Sequence, residues 1–307
     1  MYLKLFNLMG MMFLMMAAGF ILKKKNLITD QGKKSIVNLI LDVVLPCNIV
    51  KAFCLETGSE FWKCFSQTLI VATLIQVFCM ILAKLLYNRM PKKEKQVFQY
   101  GTVCSNAGFM GNPLAQGVFG DIGLLYASIF LIPQRIVMWT AGVSYFTEDG
   151  NKKEALKKVL VNPCMIAVYI GMIIMISGLK LPSVLDDTVK AFSSCCTAMT
   201  MLYIGTILAD VKIKELCSVH QIYFALIRLI LIPLAVFGVC ALAHVDRLVA
   251  GVCILLTATP AGSTTSILAS KYEADEKSAA KCVVFTTLIS VVTIPVWCAV
   301  LLGYAGI

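Results

Sequence analysis

Ser105-Asn106-Ala107-Gly108-Phe109-Met110-Gly111-Asn112-Pro113 sits inside a mostly apolar run, Val97 to Phe119, that is long enough to cross a bilayer. These residues are poor material for a helix. Glycine weakens a helix, and Pro113 lacks an N–H and crowds the carbonyl four residues before it. An unpaired peptide group is costly in hydrocarbon, so broken backbone survives only where it lines a protein-walled or wet cavity. A second such stretch, Ala258-Thr259-Pro260-Ala261-Gly262-Ser263-Thr264-Thr265-Ser266, interrupts another membrane-length run late in the chain. Two interrupted spans in corresponding halves point to the binding site of a secondary transporter.

The composition agrees with a polytopic membrane chain. Of 307 residues, 59% are apolar and 14% charged, with mean hydropathy +0.84. Soluble domains are roughly 45–50% apolar and about 25% charged. The net charge of +10 does not imply nucleic acid, because the basic residues occupy short loops between apolar runs. The 13 cysteines form no Cys-x-x-Cys pair and no Cys/His cluster of zinc spacing, so no metal site is expected; they read as small apolar filler. Residues 1–22 lack the charged start and small-residue exit of a cleavable signal and read as a first span.

In chain order the apolar runs are Tyr2 to Leu22, Ser35 to Phe53, Trp62 to Tyr87, the broken Val97 to Phe119, and Leu124 to Phe146 after a turn at Asp121 to Gly123. A hydrophilic connector, Thr147 to Lys158, follows. The second set is Val159 to Gly178, a loop Leu179 to Thr188, Val189 to Ala209, Val219 to Ala243, the broken Leu248 to Ser270, and Cys282 to Tyr304. Ten spans divided five and five predict two repeats of inverted topology, residues 1–147 and 159–307, joined by the connector at 148–158. The broken span is the fourth of each half. The fifth of each half carries a proline before a tryptophan, Pro133 with Trp139 and Pro295 with Trp297.

Lys and Arg set the orientation. They cluster in the odd-numbered connections, as in Lys23-Lys24-Lys25, Lys92-Lys93 and Lys152-Lys153, while the even-numbered ones hold isolated cations such as Lys51 and Lys180. The positive-inside rule then places the odd loops in the cytoplasm and both termini outside.

Polar residues within the spans are the candidates for chemistry. Asn106 and Asn112 bring amide groups to membrane depth, and the break beside them frees backbone N–H groups at the positive end of a half-helix, which suits an anion. Thr259, Ser263, Thr264 and Thr265 offer hydroxyls from the other break, with Pro113 and Pro260 shaping the two. Asp42 lies well inside the second span, where a carboxylate marks either an ion or proton path or a structural pair with an arginine. Arg135 and Arg228 also lie within spans. Arg135, after Pro133-Gln134, is the better partner for a substrate carboxylate, and Arg228 reads as structural. There is no His-Glu-x-x-His, no Gly-x-Ser-x-Gly and no Walker-type glycine loop, so neither an enzyme nor ATP-driven transport is expected. A proton or sodium gradient is the expected drive.

These motifs resemble the auxin efflux carrier family, which includes plant PIN-type carriers and bacterial malate and malonate permeases. The likeness covers essentially the whole chain. It is most specific at Ser105-Asn106 through Gly111-Asn112-Pro113-Leu114, at Ala258-Thr259-Pro260 through Ala269-Ser270-Lys271-Tyr272, and at Thr286 to Pro295. The resemblance implies a fold like that of bile-acid symporters and sodium/proton antiporters. In that fold spans 4 and 9 cross as unwound helices, spans 1, 2, 6 and 7 form a scaffold, and transport proceeds by an elevator or rocking movement. It also implies that Asn106 holds the substrate carboxylate. In the ninth-span break, bacterial relatives often have Asn where this chain has Thr264, and plant carriers have proline where it has Thr265.

The expectation is therefore an all-α integral membrane carrier for a small organic anion in the cell membrane. It pairs as a homodimer by analogy and has only lipid and substrate as other partners. A passive anion channel or a transporter-like ligand sensor is the alternative.

Overall fold

The computed structural model describes residues 2–54, 60–142, 144–146, 160–210, 216–272 and 274–305. The expected connector at 148–158 and the loop bearing Lys212 and Lys214 lie outside the described residues. Helices make up the regular structure of the rest: α1 (Tyr2–Lys24), α2 (Asp30–Phe53), α3 (Phe61–Leu86), α4 (Lys92–Val103), α5 (Ala107–Val137), α6 (Pro163–Ser177), α7 (Ser183–Ala209), α8 (Val219–Leu242), α9 (Arg247–Thr257), α10 (Thr264–Lys271) and α11 (Glu276–Ala305). By length and composition, six of them (α2, α3, α5, α7, α8 and α11) can cross a membrane, and α6 and α9 are shorter apolar helices. No strand occurs among the described residues; the one β contact is an isolated bridge. Among the described residues the regular structure is all helical, consistent with an integral membrane protein.

Prolines explain the irregular turns. Wide π-turns at Ile40–Val44, Ala107–Gly111 and Ile227–Leu231 each end two residues before a proline, Pro46, Pro113 and Pro233. A proline ring crowds the carbonyl four residues earlier and denies it a partner, and loosening the preceding turn relieves the clash. For Pro233 the orphaned carbonyl is that of Leu229. The Trp297 indole Nε1–H donates to it at 2.9 Å from α11, so a tryptophan repairs the hydrogen bond that the proline removes.

Helix pairs pack through small residues, the usual solution where lipid offers no hydrophobic drive for association. α1 lies along α7 with backbone against backbone. A Cβ added to Gly19 would stand 2.0 Å from the Leu202 carbonyl oxygen, and one added to Gly205 would stand 1.9 Å from that of Met16. α2 packs on α6, where Gly171 faces the Phe53 ring in the same manner. At one end Lys23 pairs with Asp30 and Lys33 with Asp210, tying α1, α2 and α7 together. A second group consists of α3, α4, α5, α8, α9, α10 and α11, which pack on one another around the two breaks.

Three sequence boundaries move. The expected turn at Asp121 to Gly123 is instead a kink at Gly120, whose φ of 73° favours the one residue without a Cβ. α6 begins at Pro163 rather than Val159, because the Asn162 side chain accepts from the Cys164 N–H at 3.0 Å and caps the helix there. The expected loop Leu179 to Thr188 is short. Gly178 ends α6 in the left-handed region (φ 63°), and α7 starts at Ser183, supported by an Asp186–Lys190 pair one turn apart at 2.6 Å.

Candidate functional site: the crossing of two broken helices

Both expected breaks are present, and they meet. α4 ends at Val103 and α5 starts at Ala107; α9 ends at Thr257 and α10 starts at Thr264. The two linkers pair as an antiparallel bridge between Ser105 and Ala261. The Asn106 N–H donates to the Pro260 carbonyl at 2.8 Å, and the Gly262 N–H donates to the Cys104 carbonyl at 2.9 Å. The sequence left the N–H groups beside the first break free for a ligand; in the structure the Asn106 amide is instead used by a carbonyl of the opposite linker. The pairing satisfies peptide groups that neither linker can satisfy within its own helix.

Neighbouring helices hold this bridge in place. Gln134 of α5 grips Ser105 twice: its Nε2 donates to the Ser105 carbonyl at 2.8 Å, and its Oε1 accepts from the Ser105 hydroxyl at 3.1 Å. Across the crossing, the Ala261 N–H donates to Thr286 Oγ1 of α11 at 3.2 Å. Tyr100 of α4 donates its hydroxyl to Thr264 Oγ1 at 3.0 Å, linking one broken pair to the other. Thr102 of α4 bonds the Tyr87 hydroxyl at 2.8 Å, which fixes α4 on α3.

Arg228, read as structural from sequence, reaches the crossing. It is 2% exposed. Its Nη1 donates to the Thr102 carbonyl at 3.1 Å and its Nε to the Thr259 carbonyl at 3.3 Å. The Thr102 carbonyl belongs to the last turn of α4, and the Thr259 carbonyl to the linker two residues past the end of α9. The sequence signal was a lone arginine five residues before a proline in an apolar span, which does not reveal what the side chain touches.

The trailing half-helices present the opposite polarity. The amides of Ala107, Gly108 and Phe109 head α5 and have no backbone partner among the described residues. On the two linkers and the helices that follow them, buried side-chain atoms also lack a hydrogen-bond partner among the described residues: Asn106 Nδ2, Asn112 Nδ2 and Oδ1, Ser263 Oγ, Thr265 Oγ1 and Ser266 Oγ. Asn106 is 3% exposed and Asn112 fully buried. An unsatisfied buried polar group costs about 1–3 kcal/mol, which makes these atoms candidates for contact with water or a polar guest.

The other expected residues are distributed differently. The Thr259 hydroxyl donates to the Leu256 carbonyl at 2.7 Å within its own helix, and Thr264 is taken by Tyr100. Pro113 sits in the first turn of regular α-helix after the π-turn, and Pro260 enters the site through its carbonyl. Asp42, expected to be buried, is exposed. It sits on the π-turn before Pro46, and no described cation lies within ion-pair distance. Arg135 is buried with Nη1 unpartnered. Both charges fall within electrostatic reach of Cys164 on α6.

Comparison with known proteins agrees with this architecture. The family described as "Membrane transport protein" matches residues 5–298. The chain belongs to the auxin efflux carrier family. Relatives include an uncharacterized transporter of Methanocaldococcus jannaschii, 24% identical over 300 residues that cover 94% of this chain and 96% of that one. An uncharacterized transporter of Methanothermobacter thermautotrophicus is 22% identical over 294 residues, covering 92% and 94%. The uncharacterized transporter YfdV of Escherichia coli is 22% identical over 298 residues, covering 92% and 93%. The family is one of membrane transporters rather than enzymes, and the chain is a multi-pass membrane protein.

Proposed function

We propose that this chain is a secondary active carrier of a small organic anion, a mono- or dicarboxylate, which binds where the broken helices cross. One observation carries the reading: unpartnered polar atoms of Asn106, Asn112, Ser263 and Thr265 lie buried on both sides of one bridge. The positive end of α5 and its free leading amides suit a carboxylate, and the asparagine Nδ2 groups add donors. Pro113 and Pro260 hold the linkers in shape, while Thr259 and Thr264 contribute through the backbone and through Tyr100.

The same reading takes the helices as ten spans in two inverted repeats, residues 1–147 and 159–307, around a connector at 148–158. Under exchange of the halves, span 1 corresponds to span 6 and span 2 to span 7. The packing of α1 on α7 and of α2 on α6 supports this, because the exchange turns one pair into the other. These four helices form the scaffold, and the remaining group carries the crossing past them in an elevator movement. Asp42, an exposed carboxylate in a spanning helix, is the candidate for proton coupling. Both termini face outward across the cell membrane, as the basic loops require, and a scaffold-to-scaffold homodimer follows by family analogy.

The test is uptake into proteoliposomes of labelled malate, malonate, lactate and indole acetate, with and without proton and sodium gradients. Saturable, counter-transported uptake of one of them is expected. Asn106→Ala abolishes that flux while the protein remains monodisperse; unchanged flux in this variant removes Asn106 from the site. Conduction at channel rates with no saturation supports the passive alternative instead.

A further inference from the structure

Arg228 does more than brace the fold. It carries a full positive charge at 2% exposure, yet no carboxylate contacts it among the described residues. The groups around it are the carbonyls of Thr102 and Thr259 and the neutral side chains of Cys79, Cys104, Cys282 and Tyr87. A buried charge needs compensation. Here the last turn of α4 supplies it through Thr102, and the unwound carbonyl of Thr259, just past the C-terminus of α9, supplies the rest. Each helix end carries roughly −0.5 of an elementary charge, so two together offer about −1 to one guanidinium.

Unwound carbonyls and the C-terminal ends of half-helices are the groups with which broken-helix carriers coordinate a travelling cation. In this chain they are already occupied by a side chain. We propose that Arg228 is a tethered cation filling the ion position of the crossing, so that the two leading half-helices are held together without sodium or any other bound metal cation. The division of labour is then electrostatic: a permanent cation serves the two negative helix ends, and the two positive ends remain for the substrate anion. This deepens the carrier reading above, and it leaves proton coupling through other residues open.

The experiment compares sodium with N-methylglucamine at constant ionic strength on the reconstituted wild type without substrate. The readout is hydrogen exchange at the Asn106 and Gly262 amides, which the bridge protects. Exchange independent of sodium is expected. In Arg228→Ala the same amides exchange faster by roughly 10- to 150-fold, the equivalent of losing hydrogen bonds from a charged donor. Adding sodium, lithium or guanidinium ion then restores protection saturably, and Arg228→Lys is intermediate because it keeps the charge but loses the fork. Sodium-dependent protection of the wild type overturns the proposal, as does an Arg228→Ala protein that is folded and either unchanged or indifferent to all three cations. Where that variant does not fold, the wild-type sodium titration decides alone. Because no substrate enters this measurement, its failure is separate from a failure of Asn106 to bind one.

Discussion

Replacing Gln134 by leucine removes both hydrogen bonds that fix Ser105, at 2.8 and 3.1 Å. Leucine nearly matches glutamine in volume, so α5 keeps its packing and the change is confined to the clamp. The Ser105 hydroxyl can rotate toward a carbonyl of its own chain, but the Ser105 carbonyl is left buried without its donor. Such a loss costs about 1–3 kcal/mol. Ser105 is the residue through which one linker bridges to Ala261, so the cost falls on the bridge and raises its open fraction. The flanking Asn106 and Gly262 amides then exchange with deuterium roughly 5- to 150-fold faster under conditions where opening precedes exchange. The measurement is hydrogen–deuterium exchange by mass spectrometry on detergent-solubilised protein, with α1 and α7 peptides as an internal control for global unfolding. Substrate affinity falls with the competent fraction, because a site populated only part of the time binds correspondingly more weakly. If the two amides exchange within about twofold of wild type, opening is not set by this clamp and the Gln134 argument is refuted.

Gly205→Ala and Gly19→Ala each drive a methyl group into a carbonyl of the facing helix, at 1.9 and 2.0 Å. α1 and α7 must separate, at a cost of about 1–3 kcal/mol or more. Thermal unfolding in detergent checks this, and an undiminished midpoint in either variant contradicts the backbone-on-backbone packing. Asp42→Asn alters the dependence of flux on the pH gradient if its exposed carboxylate takes part in proton coupling. Identical pH profiles for variant and wild type return Asp42 to a surface role.

The breaks themselves were legible in the sequence. Gly108, Gly111 and Pro113 in one span, with Pro260 and Gly262 in the other, weaken regular helix locally. The second pair falls within its break, whereas the first break lies just before Gly108, at residues 104–106, and the glycines and proline there take up a π-turn and the start of α5. The helical, multi-pass character of the chain followed from hydropathy, likewise a local property. What the sequence could not show was partnership. The Asn106 amide, beside the break expected to free N–H groups for a ligand, instead donates to Pro260 of the opposite linker, and the Gly262 amide donates back to Cys104, each more than 150 positions away. Asp42 was expected to be buried because its run is apolar, yet it is exposed, since the exposure of a side chain depends on which helices pack beside it. Arg228 and Gln134 gave no local sign of their roles, because a hydrogen bond to a distant carbonyl depends on where two helices end in space. Local chemistry decided where the chain must break; only the packed fold decided which groups those breaks would satisfy and which they would leave open.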